Sequence, residues 1–136
     1  MKKRSDFYGV EFEWFATDPE GFVAVMCSAG YGSIPDLVFQ QLEKQRCIEE
    51  QVTKLNGYSI NAEWKSALLA FSAAGIFVYE WKHWKGPYQR LGVPQFPQRL
   101  DELGFLAELK DAFITIPKSF RKCGELQAEL LLPCTD

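Results

Sequence analysis

The chain has 136 residues, 47% hydrophobic and 24% charged, with a formal net charge of −3 and a pI near 5.2. That length fits one domain, 1–136, able to bury roughly two-thirds of its unfolded surface. The mild acidity argues against a dedicated nucleic-acid binder, and no apolar run approaches the ~20 residues of a membrane helix.

Aromatic residues make up 15% of the chain, with eleven Phe, five Tyr and four Trp. Each ring can bury about 150–250 Å², so rings should dominate the core. Met1-Lys2-Lys3-Arg4 is basic, but Ser5-Asp6-Phe7-Tyr8-Gly9 is mixed and Glu11 and Glu13 follow. That is not the pattern of a secretory signal, so the expected setting is cytoplasmic. The four cysteines, Cys27, Cys47, Cys123 and Cys134, are far apart and no C-x-x-C occurs. Free thiols are expected, without the two close pairs of a four-cysteine zinc site. No metal and no cofactor is expected.

Residues 10–16 alternate, with Val10, Phe12, Trp14 and Ala16 on one face and Glu11 and Glu13 on the other. This is the pattern of a half-buried strand. Asp18-Pro19-Glu20-Gly21 suits a type I turn, and Phe22 to Cys27 completes a predicted hairpin. The second strand is apolar on both faces, which suits the inside of a sheet. Gly30-Tyr31-Gly32-Ser33-Ile34 reads as a loop. Pro35 opens a predicted helix to about Leu55, with Asp36 favourable against the helix dipole. Val38, Leu42, Ile48, Val52 and Leu55 form its stripe, and Asn56-Gly57 stops it. Asn61 is the predicted N-cap of a second helix, with Glu63 in its first turn. Trp64, Ala67, Leu68, Leu69, Phe71 and Ala74 are its apolar residues, and Gly75 ends it.

Ile76 to Trp81, aromatic and β-branched on both faces, is the clearest predicted strand. Tyr88 to Val93 is its expected partner, and Pro94-Gln95-Phe96-Pro97 breaks regular structure. A short helix is predicted at about Arg99 to Lys110, with Leu100, Leu103, Leu106 and Ala107 inward. Ala112 to Ile116 reads as a strand stopped by Pro117, with Phe120 anchoring the next loop. Glu125 to Leu132 fits either a helix or an edge strand, and the pattern does not fix the path of residues 117–136. The order β-β-α-α-β-β-α-β predicts a single α+β domain. Its mostly antiparallel sheet would carry two to three helices packed on one face.

Little of this carries recognisable chemistry. His83 is the sole histidine, so Ser–His or Cys–His catalysis would have to use it, and no serine sits in a G-x-S-x-G elbow. Glu11 and Glu13 share a strand face roughly 7 Å apart. That spacing could serve a glycosidase pair or a cation site, but the favoured reading is a solvated strand face. The Gly30–Gly32 loop follows a strand and precedes a helix, as a phosphate loop does. It lacks G-x-G-x-x-G and a Walker lysine, while Pro35 removes a donor and Asp36 adds negative charge. No catalytic residue is assigned.

The aromatic turn is the stronger candidate. Trp81, Trp84, Tyr88 and Tyr31 can present rings beside Lys82, Lys85 and Arg90, a combination found at protein-interface hot spots and also suited to stacking on sugars or bases. In the competing reading, Trp81 is core and Trp84 folds back over the hairpin.

Several phrases stand out together: Phe12-Glu13-Trp14-Phe15-Ala16-Thr17-Asp18, Gly21-Phe22-Val23-Ala24-Val25 and Gly30-Tyr31-Gly32-Ser33-Ile34-Pro35. Gly75-Ile76-Phe77-Val78-Tyr79-Glu80, Gly86-Pro87-Tyr88-Gln89-Arg90 and Val93-Pro94 follow them. As a set they resemble a group of small uncharacterised bacterial cytoplasmic proteins, some of which look like immunity proteins of bacterial toxin systems. The resemblance runs to about residue 103 and rests on turn glycines, prolines and core aromatics, which specify a fold and not a site. It implies toxin neutralisation by protein–protein contact. The expected function is therefore non-enzymatic protein binding through Trp81, His83, Trp84, Tyr88, Tyr31, Glu11 and Glu13, with no nucleic-acid or membrane partner. The alternative is a small-molecule-binding protein or small enzyme using the Gly30–Gly32 loop, the nearby carboxylates and His83, which requires a pocket gathering them. A homodimer stays open, closed two-fold dimers being the commonest oligomer.

Overall fold

The N-terminal hairpin forms where alternation and turn chemistry place it, three residues shorter at its start than the alternation. The computed structural model describes residues 4–61, 63 and 66–127. Strand β1 (Glu13–Thr17) pairs antiparallel with β2 (Val23–Cys27), Glu13 lying opposite Cys27 and Thr17 opposite Val23. The connecting turn is closed by Asp18. One of its carboxylate oxygens accepts the N–H groups of Glu20 and Phe22 at 3.0 and 2.9 Å. The other accepts the N–H of Phe120 at 2.9 Å, from a loop a hundred residues downstream. Three donors on one buried carboxylate explain why an acidic side chain is tolerated there.

Strand β3 (Phe77–Trp81) runs parallel to β2, and β4 (Tyr88–Gly92) returns antiparallel to β3. The short strands β5 (Ile114–Thr115) and β6 (Glu125–Leu126) pair with β1 and β4. The result is one six-stranded sheet in the order β5-β1-β2-β3-β4-β6. Three of its five pairings are antiparallel and two parallel, so the sheet is mixed.

Both faces of the sheet are covered, and strict alternation divides them. Trp14, Ala24, Met26, Phe77 and Tyr79 point into one layer with Phe120 and Leu126. Phe15, Val23, Val25, Ile76 and Val78 point into the other with Ile48, Val52, Phe71 and Leu106. Helix α1 (Asp36–Gln40) adds Val38 and Phe39 to the first layer. The second layer receives α2 (Leu42–Val52), α3 (Leu69–Ala73) and the 3₁₀ segment Gly104–Ala112. A single-faced helical layer thus describes the later elements and not α1.

The helical stretches differ from expectation for identifiable reasons. The helix expected to run unbroken to Leu55 breaks at Gln41, because Val38 belongs to one face of the sheet while Ile48 and Val52 belong to the other. One straight helix could not bury both. The expected cap at Asn61 is present as a local turn, its side-chain oxygen accepting the Glu63 N–H at 2.9 Å, but α3 itself starts at Leu69. Trp64 lies outside the described residues. The helix expected near 99–110 is two 3₁₀ segments, Leu100–Glu102 and Gly104–Ala112, divided at Gly104 with φ of +58°. Residues 128–132 lie outside the described residues.

Gln45 solves an edge problem. Strand β5 is too short to pair all of β1, which leaves the backbone of Phe15 facing α2. The buried Gln45 amide accepts the Phe15 N–H at 2.9 Å and donates to the carbonyls of Phe15 and Ala112 at 3.3 and 2.6 Å. One side chain acts as a one-residue strand and ties α2 to the sheet.

Candidate functional site

The parallel register of β2 and β3 determines which loops meet. Cys27 lies beside Glu80, so both strands end at the same level, and β1 starts and β4 begins at that level too. The Gly30–Gly32 loop, the 81–88 turn, Tyr31, His83 and the Glu11–Glu13 segment therefore share one end of the sheet. They do not form one cluster, since β1 and β3 are two strand spacings apart, about 10 Å.

Trp81 and Tyr88 are buried, which corrects the expectation that they present their rings. Tyr88 is fully enclosed. Its hydroxyl donates to the Ser33 carbonyl at 2.8 Å and lies 3.3 Å from the Trp14 indole N–H that donates to it. Trp81 packs edge-on against it at 5.0 Å between ring centres. Gly32 and Gly86 hold the Trp81 indole between them, since a Cβ on either would fall within 3.0 Å of it. These rings belong to the core because they pack against Trp14 and against the loop that follows β2 at Gly32 and Ser33. Their bulk fixes the base of the turn.

Trp84 is the opposite case. It is 80% exposed, with the Lys85 ammonium 4.7 Å from its ring centre. Lys82 and His83 beside it are also exposed, and the Gly86 N–H closes the turn on the His83 carbonyl at 2.7 Å. Tyr31 is 65% exposed and stacks on Tyr8, 6.3 Å between centres. Tyr8 is a surface ring that sequence reasoning did not single out. Its signal was the neighbouring Gly9, whose N–H donates to the Gly30 carbonyl at 3.0 Å and joins the two loops.

The carboxylates divide in the same way. Glu11 is exposed and Glu13 half-buried, because α2 covers the strand face that the alternation had assigned to solvent. Burial pushes the Glu13 carboxyl up to about 7, with repulsion from Glu49, a hydrogen bond to Glu49 and repulsion from Glu11 adding to it. Glu49, on α2, is the residue that reading β1 alone missed. A cavity of about 220 Å³ lies between β1 and α2, lined by Glu11, Glu13, Gln45, Arg46 and Glu49. It includes neither His83 nor the Gly30–Gly32 loop, so the pocket required by the small-enzyme alternative is not formed there. Burial and the nearby Glu13, Glu11 and Glu80 charges push the Cys27 thiol up to about 11 despite a backbone hydrogen bond from Ala29, which makes it a poor nucleophile.

Among the described residues, no group of three or more His, Cys, Asp or Glu side chains is placed to hold a metal ion. Cys27, Cys47 and Cys123 are free. No helix among the described residues is long and apolar enough to cross a membrane. A larger groove of about 840 Å³ lies toward the other end of the sheet, between α3 and residues 93–98, with Phe96 at its rim. No protein-family model matches this chain, and neither a curated protein nor a solved structure matches it.

Proposed function

We propose that this chain is a non-enzymatic binding protein that recognises another protein through the tip formed by Lys82, His83, Trp84 and Lys85, with Tyr31 as a second exposed ring at the same end of the sheet. The observation that carries this reading is the exposure of Trp84 on a turn whose base is locked. An indole 80% exposed between two lysines leaves a large apolar area in water. Such rings, with cations beside them, are the side chains that dominate interface energetics. Trp81 and Tyr88 contribute by rigidity, since a preorganised turn loses little entropy on binding. Toxin neutralisation by direct contact, in a bacterial cytoplasm, is the specific role we propose, on the strength of the sequence phrases that resemble immunity proteins. Free cysteines fit that reducing setting.

The test is capture of partners from native lysate by the tagged chain, with quantitative mass spectrometry and calorimetry on any stoichiometric partner. Trp84→Ala should weaken that complex by about 2 kcal/mol or more, leaving the melting temperature of the free chain nearly unchanged. A complex indifferent to Trp84→Ala would remove the tip from the interface.

A further inference from the structure

We propose that the tip end of the sheet is self-complementary and pairs with the same end of a second copy of this chain across a two-fold axis. Three kinds of surface lie in line there. On the β1 side, exposed Glu11 and Glu49 line a cavity of about 220 Å³ together with Phe7, Val10 and Phe12, and Arg46 offsets part of their charge. In the middle, beyond the end of β2, Tyr31 stacks on Tyr8, and both rings are more than half exposed. The loop that carries Tyr31 touches both of its neighbours. The Ser28 N–H donates to the Phe12 carbonyl at 2.9 Å, and Gly32 lies against Trp81. On the β3 side, exposed Lys82 and Lys85 flank Trp84. Acid, rings and base therefore succeed one another from β1 to β3, across about 10 Å at the strand ends.

That order is what an isologous contact requires, because a two-fold axis brings each patch onto its opposite in the partner. An axis through the Tyr8–Tyr31 pair puts rings on rings. The same rotation sets Trp84 and its lysines of one copy over the cavity of the other, twice per dimer. The cavity offers Phe7, Val10 and Phe12 to the indole, and Glu11 and Glu49 to the two ammonium groups. Among the described residues none of these four charges is held in an ion pair within the chain, so all four remain for the contact. Two chains of net charge −3 repel each other at a distance. A face with its charges ordered this way gains on close approach, and a face of one sign would not. The dimer shares the exposed tip with the function proposed above but needs no foreign partner, and such a partner would compete with it.

The experiment is sedimentation equilibrium of the intact chain from about 5 to 500 μM at low salt, the range in which a small polar interface associates. The mass should rise from 15.6 kDa toward twice that value. Lys82→Glu with Lys85→Glu should weaken the dimer about tenfold or more, as should Glu11→Lys with Glu49→Lys, since each sets like charges face to face. An equimolar mixture of the two double variants should recover the dimer, because acid then meets base at both contacts. All four positions are exposed, so the variants should fold. Where Glu49→Lys does not, Glu11→Lys alone takes its place in the mixture. A native chain that stays monomeric, a dimer indifferent to both reversals, or a mixture no tighter than either variant alone would each overturn the two-fold contact. A monomeric native chain that still captures a partner through Trp84 would overturn the dimer and leave the proposed function standing.

Discussion

The two ends of the sheet handle polar groups in opposite ways. At the Asp18 end, no buried side-chain polar atom among the described residues lacks a partner. The carboxylate of Asp18 takes three backbone donors. Arg90 donates to the carbonyls of Phe120 and Arg121 at 2.6 and 3.0 Å, and the Tyr79 hydroxyl donates to the Cys123 carbonyl at 2.6 Å. Exposed Arg121 and half-buried Ser119 engage Glu20, whose carboxyl they hold below its usual range. At the other end, the Ser28 hydroxyl and the Trp81 indole N–H are buried without partners among the described residues, burial pushes the Glu13 carboxyl up to about 7, and Trp84 stands in water. Unmet polar groups are rare in native proteins and concentrate where selection is for something other than stability. The Asp18 end is built for cohesion. The tip end leaves two buried polar atoms unmet beside the packed Trp81–Tyr88 pair.

That contrast can be broken most directly at Asp18. Asp18→Ala strands the N–H groups of Glu20, Phe22 and Phe120 in a buried turn, and the expected loss is about 3–5 kcal/mol by urea unfolding. A loss below 1 kcal/mol would mean that the two ends are not differently built. Gly86→Ala probes the base of the tip. Its φ is +76° and an added Cβ would fall onto the Trp81 ring, so strain and overpacking together should cost about 2–4 kcal/mol. The same substitution at Gly104, which has nothing within 4 Å of the added Cβ, should cost only the strain of its positive φ.

Acidity separates the ends at a smaller scale. The folded chain holds Glu13 up to about 7 against an ordinary 4.5, so between those values it binds more protons than the unfolded chain. Stability from this group is complete below the ordinary value and is lost as pH rises through about 7. Discounted for the part exposure of the pair, the fall between pH 5 and 8 should be on the order of 2 kcal/mol. Glu13→Gln should abolish it, and Glu20→Gln, at the cohesive end, should not. Urea midpoints at four pH values check both.

The sequence was most readable where one residue answers to one neighbour. β1 to β4 announced themselves through alternation and through β-branched and aromatic residues, and the 18–21 turn through its Pro and Gly. Reading failed where a side chain serves a distant partner. Nothing local marks Gln45 as a substitute strand for Phe15, or Asp18 as the acceptor of Phe120. Alternation reports which residues share a face and not whether a helix will cover it, so Glu13 read as solvated until α2 was placed. The break at Gln41 was hidden for a related reason, because Val38 and Ile48 both look inward along one helix until the sheet assigns them opposite sides. At the site, ring composition located the turn but could not rank its rings. Trp81 and Trp84 are indistinguishable as letters and differ only by where strand β3 ends.

Trp84→Ala is the smallest expected effect on folding and the one that gives the contrast its meaning. A ring 80% exposed loses little burial on truncation, and its contact with Lys85 is an exposed cation–π pair worth well under 1 kcal/mol. Stability should change by less than about 0.5 kcal/mol, as for surface positions generally. Trp81→Ala, three residues earlier, removes a ring packed on Tyr88 at 5.0 Å and should cost about 3–5 kcal/mol. The pair of variants, compared by urea unfolding, therefore asks whether the hairpin divides into a structural base and a presented tip. A large loss at Trp84 would place that indole in the core in solution, and the exposed ring would no longer support a binding role. A small loss there with a large one at Trp81 leaves an apolar surface that folding does not explain, which is the condition an interface residue has to satisfy.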